Sequence, residues 1–99
     1  MGEWEQLSYE VILLLGNVEQ YKLKYVRDLI LETFKEKFLE MCKNPYYFDS
    51  FNTQRIVETE ISRSNTPLDL INALNKTKVV SCEFNNHKEF RVGLETEIL

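Results

Sequence analysis

Residues that could do chemistry are few in this chain. His87 is its single histidine, and it stands in the polar stretch Asn85-Asn86-His87-Lys88, as a solvated turn residue would. A general base needs a pocket, an orienting partner and a nucleophile within reach, and nothing around His87 supplies them. Cys42 and Cys82 each sit among apolar residues, which suits buried thiols acting as small hydrophobes. Cys42 lacks the electropositive neighbours that would lower its pKa and make it a nucleophile. No CxxC pair or His/Cys cluster is present, so no structural zinc site is expected. Glu32, Glu36 and Glu40 fall at i,i+4 spacing, and Glu58 and Glu60 alternate along one strand face. Hard cations usually draw oxygen ligands from loops as well, so both sets read as solvated faces. We expect no enzymatic activity, metal or cofactor.

Aromatic density is the stronger signal. Pro45 to Phe51 holds Tyr46, Tyr47, Phe48 and Phe51. Large rigid rings fill partner pockets at low entropic cost and are common anchors of binding surfaces. The competing use of Tyr47 and Phe51 is to plug the end of the preceding helix and finish the core.

The elements that must position these residues follow from spacing. Trp4, Leu7, Val11 and Leu14 predict a short helix over Trp4–Leu15. Gly16 suits its left-handed end, and Asn17 an N-cap with Gln20 three residues on. A second helix is expected from Val18 to about Lys43, where Asn44-Pro45 stops it. It would be about 39 Å long, with Leu23, Val26, Ile30, Phe34, Phe38 and Met41 in a broad apolar stripe. Arg27 falls inside that stripe, where a charge must pair or snorkel. The alternation of Tyr21, Leu23 and Tyr25 supports a second choice, a strand over Gln20–Tyr25 followed by a helix from Val26. Gln54–Ser62, with Val57, Thr59 and Ile61 alternating with Glu58 and Glu60, reads as a half-buried strand. Thr66-Pro67 starts a short helix that reaches about Lys76. Lys78–Phe84 and Glu89–Ile98 read as two strands joined through Asn85–Lys88, and Gly93 as a bulge. The expected fold is α+β in the order α-α-β-α-β-β, a helical hairpin with one long helix packed on a small three-stranded antiparallel sheet.

The 99 residues fit a single domain spanning 1–99. A hydrophobic fraction of 43% is that of a globular chain. The formal charge of −4 is mild, and acids gather at the two ends, at Glu3, Glu5, Glu10, Glu19, Glu95 and Glu97. No basic surface of the kind that neutralises phosphates is visible. The apolar run Val11–Leu15 is too short to span a bilayer and lacks basic flanks. An intracellular protein acting away from membranes, in cytoplasm or nucleus, is expected.

The long stripe exceeds what its short neighbours can cover, so something must pack on it. We therefore expect a protein-interaction module or small subunit of a complex, whose partner is another protein chain, a second copy of itself included. Tyr46, Tyr47, Phe48 and Phe51 would be the anchors, with Phe38 and Leu39 as the helix side of the patch. Strand addition at a free Gln54–Ser62 edge is a further route to the same end. The alternative is a winged-helix-like nucleic-acid-binding domain, with Lys78–Leu94 as the wing and Lys76, Lys78, Lys88 and Arg91 facing phosphates. Its recognition helix, Leu68–Lys76, carries Asp69 and one terminal lysine, poor dressing for a DNA groove.

Overall fold

The computed structural model describes residues 2–15, 24–84 and 86–95. Among them are four α-helices and one two-stranded antiparallel sheet: α1 (Glu3–Leu15), α2 (Lys24–Cys42), α3 (Phe51–Ser62), α4 (Pro67–Asn75), β1 (Thr77–Phe84) and β2 (His87–Leu94). The α+β class stands as expected. The third strand does not.

Gln54–Ser62, expected as a strand, lies within α3. Thr53, Val57 and Ile61 are its buried residues, at four-residue spacing. Thr59, which the strand pattern would bury, is exposed. Ser50 decides the matter locally: its side chain accepts from the Thr53 amide at 3.1 Å, satisfying one of the free donors at a helix start. Strand addition at that segment is therefore ruled out, because the amides of a helix interior are already bonded along the helix.

α1 buries Trp4, Val11 and Leu15, and α2 buries Leu31, Phe34, Phe38 and Cys42. The first half of α1 and the last half of α2 line one groove. The corner at Gly16-Asn17, the start of the second helix at Val18 and the residues up to Leu23 lie outside the described residues. Of the alternative strand Gln20–Tyr25, the described part, Lys24 and Tyr25, is helical. After Cys42 the side chain of Asn44 accepts from the Tyr46 amide at 3.0 Å, and a single 3-10 turn covers Pro45–Tyr47.

α4 begins as its sequence predicts. Thr66 caps the Asp69 amide at 3.1 Å, Asp69 accepts from the Thr66 amide at 3.2 Å, and Pro67 occupies the first turn. The hairpin that follows is tighter than expected: His87 and Lys88 belong to β2, and Asn86 takes the left-handed backbone with φ 64°. The last strand ends at Leu94, and the expected continuation past Glu95 lies outside the described residues. Gly93 is not a bulge, because the register runs unbroken from Thr77↔Leu94 to Phe84↔His87. A Cβ at Gly93 would lie 2.9 Å from Asp49 Oδ2 and 3.1 Å from Val80 Cγ1; close approach of the loop explains the glycine.

That loop is tied to β2. Phe48 forms an isolated parallel bridge with Val92, and the Asp49 amide donates to the Val92 carbonyl at 2.9 Å. One core cluster joins the four helices to β2, with Trp4, Phe38 and Phe48 at its centre. Trp4 meets the other two edge-on, at centroid distances of 4.9 and 5.5 Å, and its indole N–H donates to Thr77 Oγ1 at 3.3 Å. No helix among the described residues is long and apolar enough to cross a membrane.

Candidate interaction surface

The loop between α2 and α3 divides its four aromatics. Phe48 is 1% exposed and Phe38 is 0% exposed. Both belong to the core, so neither can anchor a partner, and this corrects the expected set. Tyr46 and Phe51, in contrast, are 76% and 79% exposed. The bridge to Val92 draws Phe48 inward, while Tyr46 lies in the 3-10 turn before it, on the outside. Phe51 is the first residue of α3, rather than a loop residue, and the helix start holds its ring in solvent.

Tyr47 is half-buried. Its hydroxyl donates to Glu3 Oε2, tying the loop to α1. That bond to an anionic acceptor, then burial, then the charge of Glu3, raise the phenol pKa above its ordinary value. Leu39 is also half-buried, but it lines the groove between α1 and α2 and does not line the loop's grooves.

Arg91 organises the surface, and the loop alone gives no sign of it. Its side chain is 22% exposed. Nη2 donates to Glu89 Oε2 at 2.8 Å, and the guanidinium lies 6.0 Å from the Tyr46 ring centroid, within cation–π range. The enclosed Nε has no hydrogen-bond partner among the described residues. Two grooves share this arginine. One, of about 440 Å³, includes Tyr46, Phe51 and Asp49 in its lining. The other, of about 420 Å³, includes Tyr47, Trp4, Val79 and Phe90. Phe90 is 68% exposed and stands on the opposite face of β2 from Arg91, since successive strand residues alternate. The result is three open rings and one half-buried guanidinium around the outer edge of β2.

The residues of the nucleic-acid alternative are dispersed or engaged. Lys76 pairs with Glu60 at 3.3 Å and Arg91 with Glu89. Lys78 and Lys88 are exposed on the hairpin. From Phe51 to Glu95, Arg55, Arg63, Lys76, Lys78, Lys88 and Arg91 are matched one for one by Glu58, Glu60, Asp69, Glu83, Glu89 and Glu95. His87 is exposed at the start of β2, away from these grooves.

For catalysis the arrangement offers little. Cys42 is buried in the core, and burial, followed by the charge of Glu58, pushes its thiol up to about 12, the reverse of what a nucleophile needs. Among the described residues no group of His, Cys, Asp or Glu is placed to hold a metal ion.

Comparisons of the chain with protein-family models, with curated proteins and with solved structures found no match.

Proposed function

We propose that this chain is a protein-interaction module that docks another protein on the edge of β2. The observation that supports it is the exposure of Tyr46, Phe51 and Phe90 around Arg91. Aromatics and arginine are the residue types enriched where binding energy concentrates. The rings are held by structured backbone (a capped 3-10 turn, a helix start and a strand), so little freedom is lost on docking. Arg91 Nε is a buried donor without an acceptor among the described residues, and a partner that brings an oxygen to it gains a hydrogen bond. The partner is another protein chain, a second copy of this one included.

The test is capture of partners by the tagged chain in its native cells, together with sedimentation over a wide concentration range. The wild type should hold a partner, or itself, in fixed stoichiometry. The triple variant Tyr46→Ser/Phe51→Ser/Phe90→Ser should lose that association with its circular dichroism unchanged. Equal association by the variant would remove the aromatic surface from the proposal.

One observation favours a second reading, nucleic-acid binding. α3 and α4 are joined by four residues, Arg63–Thr66, and followed directly by the hairpin, the order of a helix-turn-helix with a wing. α4 would present Leu68, Asp69, Asn72 and Asn75, all exposed, but the Asp69 carboxylate is occupied by the Asn65 and Thr66 amides. The balanced charge of this half leaves no net attraction to phosphate. Labelled duplex and single-stranded oligonucleotides at low salt decide the point: binding that falls steeply with salt, and is weakened by Lys78→Glu/Lys88→Glu, supports it, and the absence of binding dismisses it.

A further inference from the structure

A third groove lies between α1 and α2 and meets the groove of Tyr47 and Phe90 at Glu3. It is an open trough of about 940 Å³, and half-buried Leu7, Leu39 and Met41 supply its apolar lining. Its rim leans acidic. Glu3 and Glu10 of α1 and Glu36 and Glu40 of α2 stand against Lys37 and Lys43. Glu40 is neutralised by Lys43 at 3.0 Å, and Glu3 accepts from Tyr47. Lys37 lies over the Phe34 ring at 5.8 Å. Glu10 and Glu36 have neither an ion pair nor a hydrogen bond among the described residues. α1 contains no basic residue at all.

We propose that this groove binds an amphipathic helix from another protein, with an apolar stripe flanked by lysine or arginine. A trough between two packed helices accepts a third helix as a bundle does, through anchors at i, i+3, i+4 and i+7. Methionine at its base adapts to the stripe it meets. The unmatched glutamates select the charge of the flanks, which sets specificity and association rate. A second copy of this chain is a poor occupant. α1 and α4 carry no basic residue, and Arg55 of α3 is outnumbered by Glu58 and Glu60. In α2 the bases Lys24, Arg27, Lys35 and Lys37 are offset by Asp28, Glu32, Glu36 and Glu40. The inference rests on the chain being an interaction module, but not on the edge of β2.

Two labelled peptides test it. Both carry the same helical leucine and methionine stripe; one is flanked by lysines, the other by glutamates. Against the full chain, fluorescence anisotropy should show the lysine peptide binding at least about tenfold more tightly, with the preference shrinking as salt is added. Glu10→Lys/Glu36→Lys should abolish the preference, and Glu10→Gln/Glu36→Gln should reduce it. Both glutamates are exposed, so circular dichroism should not change, and the glutamine variant decides should the lysine one misfold. The Tyr46→Ser/Phe51→Ser/Phe90→Ser variant should bind the lysine peptide as the wild type does, which separates this groove from the aromatic surface. The inference is overturned by equal binding of the two peptides, by no binding of the lysine peptide, by a preference that survives both glutamate variants, or by its loss in the aromatic variant.

Discussion

Trp4, Cys42 and Gly93 each convert a geometry into a measurable quantity. Trp4 is buried against Phe38 and Phe48 and bonded to Thr77. Trp4→Ala should cost about 3–5 kcal/mol of stability by denaturant titration, the range for losing a large buried ring. Trp4→Phe keeps much of the ring contact and gives up the indole hydrogen bond, so its cost should be smaller. Cys42 titrates at about 12 rather than 9.0 because burial, and then the charge of Glu58, penalise the thiolate. A pKa raised by folding means that the native state holds its proton longer than the unfolded chain. The resulting stability is intact below pH 9 and is lost as pH rises from 9 towards 12. Urea midpoints should therefore fall faster with pH across that window in the wild type than in Cys42→Ala. Gly93→Ala forces a methyl against Asp49 Oδ2 at 2.9 Å. The exposed Asp49 carboxylate can turn away into solvent, but the Val80 methyls at 3.1 and 3.3 Å must give, so we expect a loss of about 1 kcal/mol, the low end for overpacking; wild-type stability in that variant would show that Val80 yields freely.

At the scale of elements, α4 is short, nine residues, and relies on its first turn. Thr66→Ala removes one half of a reciprocal cap and should cost about 1 kcal/mol, as should Ser50→Ala at α3; amide exchange should quicken in the first turn of each helix. These caps also show how much of the fold is legible in the sequence. Thr66-Pro67 announces α4 and the asparagines announce the hairpin turn, because caps and left-handed positions are decided by immediate neighbours. Gln54–Ser62 misleads, because Val57 and Ile61 satisfy both a two-residue and a four-residue period in so short a window. Ser50, just upstream, carries the deciding information. The candidate surface is legible in part for a related reason. Tyr46, Tyr47 and Phe51 stand out by composition. Which rings turn inward depends on the pairing of Phe48 with Val92, across most of the second half of the chain. Phe90 escapes notice by the same route, and Arg91 reads as a contact to phosphate instead of a neighbour of the Tyr46 ring. No local pattern encodes such a distant pairing.

At the scale of the molecule, the radius of gyration is 14.3 Å, against about 12.6 Å for a compact chain of this length. A hairpin that stands clear of the core contributes to the excess: around its turn Asn86, His87, Lys88, Glu89 and Phe90 are all exposed. Shortening the hairpin by removing its outer rungs should leave the thermal midpoint nearly unchanged, since the core contacts of β2 are made at Val92 and Leu94. A large fall in that midpoint would mean that the hairpin tip supports the core from a distance. The same architecture has a consequence for synthesis. Phe48 leaves the ribosome long before Val92 exists to cover it, and Trp4 waits still longer for Thr77. Until translation reaches β2, the nascent chain carries bare rings on helices already able to form, and in this interval it is most open to aggregation and to chaperones.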